Sequence, residues 1–175
     1  MSETSRHLSD RPIIAEGIAA GLLGAAVVAL FYLGVDLARG IPFLTPSVLG
    51  EVVVLRHPHP VVTSADMTAV GAYTVVHVIA FVAFGLLLAG LVRRGETSSL
   101  ARYGAFQALI AFEILFFGLL AVASEGTRGL FPIWSVLAAN TLAGVVMAAW
   151  LWRRHPRLRS ALTRSPFGAP EPATE

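Results

Sequence analysis

His77, Glu113 and Asn140 are the residues whose types and spacing could do chemistry together. Each lies inside a long apolar block: His77 in 69–92, Glu113 in 103–124 and Asn140 in 133–152. Polar groups at membrane depth are costly and usually face the interior of a helix bundle. Counted at about 1.5 Å per residue from the outer end of each block, His77 lies about 9–12 Å deep, Asn140 about 11 Å and Glu113 about 17 Å. Three helices would then offer one polar group each at neighbouring levels, with Asp36, Tyr73 and Glu125 above them. Tyr73 precedes His77 by one helical turn and shares its face. A carboxyl and an imidazole brought together away from water can share a proton, which is the chemistry of a proton relay or a hard-metal site. The same groups can equally form a hydrogen-bond network that fixes helix register.

Other chemistry has less to stand on. His57 and His59, with Glu51, Asp66 and Glu125, fall on the outer side and could bind zinc, copper(II) or iron. Their His-Pro-His-Pro setting is a loop pattern rather than a specific ligand spacing. A haem held by two histidines of this chain is disfavoured, because His77 is the only histidine deep in a span. No Glu-x-x-His pair supports a di-iron bundle. The chain has no Cys, which removes disulfides, thiolate metal sites and a Cys nucleophile. It also lacks a P-loop, a Gly-x-Ser-x-Gly elbow and a His-Glu-x-x-His motif. No catalytic residues are therefore assigned, and a non-enzymatic role is expected.

The elements that must position these residues follow from composition. The 175-residue chain is 55% hydrophobic and only 14% charged, with mean hydropathy +0.71. Soluble domains are about one quarter charged. About 20 apolar residues cross the hydrocarbon of a bilayer, and four segments suffice. The sequence predicts an all-α, polytopic four-helix bundle spanning residues 13–152. Its spans lie near 13–37, 66–92, 103–124 and 133–152, with an outer loop over 38–65. Residues 1–12 read as a cytoplasmic tail, and 153–175 as a basic stretch followed by a disordered Pro/Ala-rich tail.

All 13 basic residues are Arg. Arg6, Arg11, Arg93, Arg94, Arg102, Arg153, Arg154, Arg157, Arg159 and Arg164 fall on one side, against Arg39, Arg56 and Arg128 on the other. The positive-inside rule then places both termini in the cytoplasm. Clustered arginine beside apolar blocks points to membrane topology, not to nucleic acid. Glu16, at the inner end of span one, is nearly opposite Asp36 around the helix. It is expected to suit the helix dipole and to meet water or an inner Arg such as Arg94 or Arg102.

In the outer loop, Thr45-Pro46 predicts a short helix over 47–55, with Thr45 as N-cap. Thr63 and Asp66 resemble a capping box for span two. Gly17, Gly21, Gly24 and Ala25 form a small-residue stripe on span one. Such stripes allow close helix packing, either within one chain or between two copies.

The stretches 17–24, 36–50 and 77–85 resemble a group of uncharacterised four-span bacterial inner-membrane proteins. The resemblance implies the topology and carries no activity. The functional expectation is an accessory subunit of a larger membrane assembly, respiratory or electron-transferring, in contact with lipid and with other subunits or further copies of itself. The alternative is a stand-alone protein that handles protons or a metal ion at His77, Glu113 and Asn140.

Overall fold

The computed structural model describes residues 13–57, 59–61, 63–123 and 131–164. Among them the regular structure is all helical, without strands. The helices are α1 (Ile13–Ala38), α2 (Leu44–Leu49), α3 (Met67–Gly95), α4 (Ser99–Ala123), α5 (Ile133–Arg154) and α6 (Pro156–Arg164). A π-helical turn, Gly50–Val54, continues α2. Four of these helices, α1, α3, α4 and α5, are long and apolar enough to cross a membrane. The chain is thus an all-α, multi-pass bundle with a short loop helix, as its composition predicts.

The long helices alternate in direction, which gives the bundle two distinct ends. One carries Arg93, Arg94, Arg102, Arg153 and Arg154 and is called the arginine end; the other carries residues 39–66 and is called the loop end. Helix α1 packs along α3 and, on its other flank, against α5. Helix α4 leans on α3 and meets α5 only lightly. The innermost side chains are Ala20, Phe81, Leu88, Ala139, Met147 and Leu151. Phe112 brings α4 to this core, stacking on Phe84 at 4.1 Å and meeting Phe81 edge-on at 5.2 Å.

The small-residue stripe makes the α1–α3 contact. A Cβ on Gly17 would stand 2.7 Å from the Leu86 Cα, and one on Gly21 would stand 2.5 Å from the Phe81 carbonyl oxygen. On α3, a Cβ on Gly85 would run into the Gly17 carbonyl and the Gly21 backbone. Gly24 faces Phe81 and the Met147 sulfur of α5, and Ala25 is buried beside it. Lipid tails are as apolar as the helices, so association in a bilayer depends on such close packing. This face is occupied within the chain and is not left open to a second copy.

Several boundaries depart from the sequence expectations for local reasons. Helix α3 begins at Met67 because Asp66 is itself the N-cap: its carboxylate accepts from the amides of Thr68 at 2.7 Å and Ala69 at 3.4 Å. The proposed Thr63 cap is therefore not the one used. Helix α4 starts four residues before 103, where the Ser98 hydroxyl accepts from the Ala101 amide at 3.4 Å. Residues 156–164 form α6, where only a basic tail was expected, and bury Leu158 in the core cluster. Pro156 can open α6 but bars continuation of α5, leaving His155 between them.

Candidate functional site

The loop end is organised by buried acids. Asp36 is fully buried near the end of α1, and both its carboxylate oxygens accept from Thr45, one from the amide and one from the hydroxyl, each at 2.7 Å. Thr45 therefore serves Asp36 and does not cap its own helix, which starts one residue earlier at Leu44. The turn leading there needs Gly40, whose φ of 78° is left-handed; the next amide, from Ile41, bonds back to the Asp36 carbonyl. Glu51 is buried too. It accepts from the Val61 amide at 3.0 Å and, weakly, from the Ser47 hydroxyl at 3.4 Å. The Ser47 hydroxyl in turn accepts from the Asp66 amide at 2.8 Å. Asp36, Ser47 and Glu51 thus supply partners that the irregular backbone of the loop needs, as buried polar groups must.

His77 is buried on α3. Its Nε2 lies 3.1 Å from the Ala25 carbonyl of α1, so this nitrogen carries the proton and donates. Its Nδ1 is buried without a partner. Tyr73 stacks on the ring at 5.6 Å and Phe81 flanks it at 4.7 Å. On the loop side of His77 a cleft of about 400 Å³ opens between α1 and α3, with Phe43, Thr45 and Pro46 at one end. Tyr32, Asp36, Tyr73 and His77 contribute to its lining, and the rest is largely apolar. The Tyr32 hydroxyl also sits 3.5 Å from the Ser135 hydroxyl of α5, at the outer limit of a hydrogen bond.

Glu113 belongs to a different part of the bundle. It is half-buried at the α4–α5 seam and accepts from the Thr141 hydroxyl at 3.2 Å. Asn140 lies beside the same carboxylate but outside good hydrogen-bond geometry. The Asn140 amide nitrogen and the second Glu113 oxygen are both buried without partners. The structure therefore brings Glu113 and Asn140 together and places His77 elsewhere, bonded to α1. Asp36 and Tyr73 share the cleft with His77, whereas Glu125 lies outside the described residues. His57 and His59 are exposed on the loop. Among the described residues, no group of three or more His, Cys, Asp or Glu stands together as metal ligands.

The arginine end holds an arrangement that sequence reasoning missed. The His155 ring lies between two carboxylates, with Nδ1 2.7 Å from Glu96 and Nε2 3.1 Å from Glu16. Glu16 and His155 are buried, and the three side chains are 10%, 10% and 20% exposed for His155, Glu16 and Glu96. Beside them Arg102 donates to the Gly95 carbonyl at 2.8 Å, closing the turn between α3 and α4. Glu16 therefore finds its partner in a histidine 139 positions away, and α1, the α3–α4 turn and the α5–α6 junction meet at one ring. The dipeptide His155-Pro156 was the available signal, since proline fixes where α5 ends and so where the ring stands. No protein-family model, curated protein or solved structure matches the chain.

Proposed function

We propose that this chain is a non-enzymatic accessory subunit of a larger assembly in the bacterial inner membrane, respiratory or electron-transferring, with its arginine end in the cytoplasm. The observation that supports this reading is the Glu113–Thr141 pair. Thr141 is exposed, and Glu113 is only half-buried, on the flank between α4 and α5 at the depth of the hydrocarbon. An ionised carboxylate near the bilayer centre costs about 2.5–3.5 kcal/mol even on insertion scales. A neighbouring transmembrane helix that covers Thr141 and donates to the Glu113 oxygen it holds would relieve that cost, the other oxygen being buried. The same flank is thinly covered by its own chain: Ile110 and Ile114 on α4, within about 100° of Glu113 around the helix, are 42% and 66% exposed.

Site-specific photo-crosslinking in the native membrane tests the reading. A crosslinker at Ile114 should give one defined protein adduct, and one at Ile79, on the exposed face of α3, should not. Glu113→Leu should abolish the adduct, whereas Glu113→Gln, which still hydrogen-bonds, should keep most of it. Adducts only to lipid at position 114 would overturn the subunit reading.

Orientation is tested separately by reporter fusions. Fusions after Arg94 and after Arg157 should report the cytoplasm, and one at His59 should report the opposite side. A cytoplasmic signal at His59 would invert the assignment.

A further inference from the structure

We propose that the cleft between α1 and α3 holds a single glycerophospholipid, its acyl chain along α1 and its ester carbonyl at the Tyr32 and Tyr73 hydroxyls. The cleft is long. Its lining on α1 runs from Leu22 to Asp36, fourteen steps or about 21 Å of helix at the usual rise. One leaflet of hydrocarbon is about 15 Å thick, so the groove accommodates an extended chain. Its volume of about 400 Å³ lies within the range of small-molecule sites. The mouth opens sideways at membrane depth, because Leu22, Ala26, Ala29 and Leu30 line it and are all exposed. A membrane-dissolved molecule can therefore enter without crossing the aqueous phase.

Polarity is graded along the groove. The Leu22 end is apolar, and Tyr32 and Tyr73 line opposite walls toward the loop end, the Tyr32 hydroxyl holding only its long 3.5 Å contact to Ser135. A phenol hydroxyl can donate to an ester carbonyl. Asp36 does not compete as an open charge, because it is fully buried and both oxygens are taken by Thr45. Arg39 stands seven residues after Tyr32, one residue past the end of α1, and is exposed. A guanidinium there stands where the phosphate of such a lipid would emerge. The combination of an extended apolar groove, phenols at its polar end and a cation beyond the rim favours a phospholipid over a compact ring-headed molecule.

The test is native mass spectrometry of the full chain, reconstituted in vesicles of phosphatidylethanolamine and phosphatidylglycerol and released in mild detergent. The wild type should retain one phospholipid per chain. Ala29→Trp puts an indole into the groove from its exposed wall and should remove the adduct while helicity and melting stay near wild type. Tyr73→Phe deletes one donor and should weaken retention about fivefold, the order expected for one hydrogen bond. Arg39→Gln should weaken phosphatidylglycerol more than phosphatidylethanolamine. A bare wild type, an adduct unaffected by Ala29→Trp in folded protein, or retention of an isoprenoid quinone in place of phospholipid would each overturn the proposal. If Ala29→Trp does not fold, unchanged retention in both Tyr73→Phe and Arg39→Gln would do so. Crosslinking at Ile114 should be indifferent to Ala29→Trp, so this outcome is separable from the subunit reading.

Discussion

Gly85→Leu should abolish the assembled bundle. The substituted side chain would start where the Gly17 carbonyl and the Gly21 backbone already lie, with the Gly21 nitrogen 2.6 Å from the new Cβ. Neither obstacle is the end of a flexible side chain, so α1 and α3 can only separate. Ordinary overpacking in a core costs about 1–3 kcal/mol because side chains shift. Here the backbone must move along the most extensive helix contact of the molecule, and a loss of more than about 3 kcal/mol is expected. The Ala25–His77 hydrogen bond and the cleft would be lost together, since both lie across this contact. Gly34→Leu, on α1, and Gly71→Leu, on α3, are the controls. A Cβ at either site meets nothing within 4 Å, and both variants should melt close to wild type in detergent. A Gly85→Leu protein with wild-type melting and wild-type protease resistance would show that α1 and α3 do not pack as described.

That contact also shows why so much of the fold was legible. Crossing hydrocarbon requires about 20 apolar residues in one run, a constraint written locally along the chain. The spacing of Gly17, Gly21 and Gly24 marked a close-packing face before any partner was known. The loop was less legible because its partners are not local. Thr45 looks like an N-cap when only its neighbours are considered. Its hydroxyl is instead committed to Asp36, nine positions earlier, and this moves the helix start. Asp66 caps α3 alone, and Ser47, nineteen positions away, meets the Asp66 amide.

A polar group in a span has two coordinates, its depth and its rotation about the helix axis. Depth follows from counting residues, and depth alone puts His77 and Asn140 level. Rotation about each helix axis is set by packing, and no single span reveals it. Phe112 and Phe84 fix α4 against α3, and this turns Glu113 toward Thr141 and away from His77. With α1 lying so close to α3, His77 finds a backbone carbonyl as its partner instead of a carboxylate. Glu113→Gln should therefore leave the His77 surroundings unchanged.

His155 marks the limit of local reading most clearly, and its removal is the second large effect expected. It stands just beyond an apolar span, among arginines that read as a topology signal, and its partners lie 59 and 139 positions away. His155→Ala would leave Glu16 and Glu96 facing each other in a largely buried space without the donor between them. Removing one partner and leaving buried acceptors unsatisfied costs about 1–3 kcal/mol for each group, more where a group is charged. A loss of about 3 kcal/mol is expected, read as a drop in melting temperature in detergent. The triple variant Glu16→Gln, Glu96→Gln, His155→Leu tests the cause. It removes both carboxylates together with the ring, keeps side-chain volume at each position, and should be markedly more stable than His155→Ala alone. Such non-additivity is the signature of one network, whereas three independent contacts would make the triple variant the worst of the set. A His155→Ala protein that melts like wild type would mean that α1, the α3–α4 turn and the α5–α6 junction are held by the packing of Leu158 and Leu151, and that the ring joins them without stabilising them.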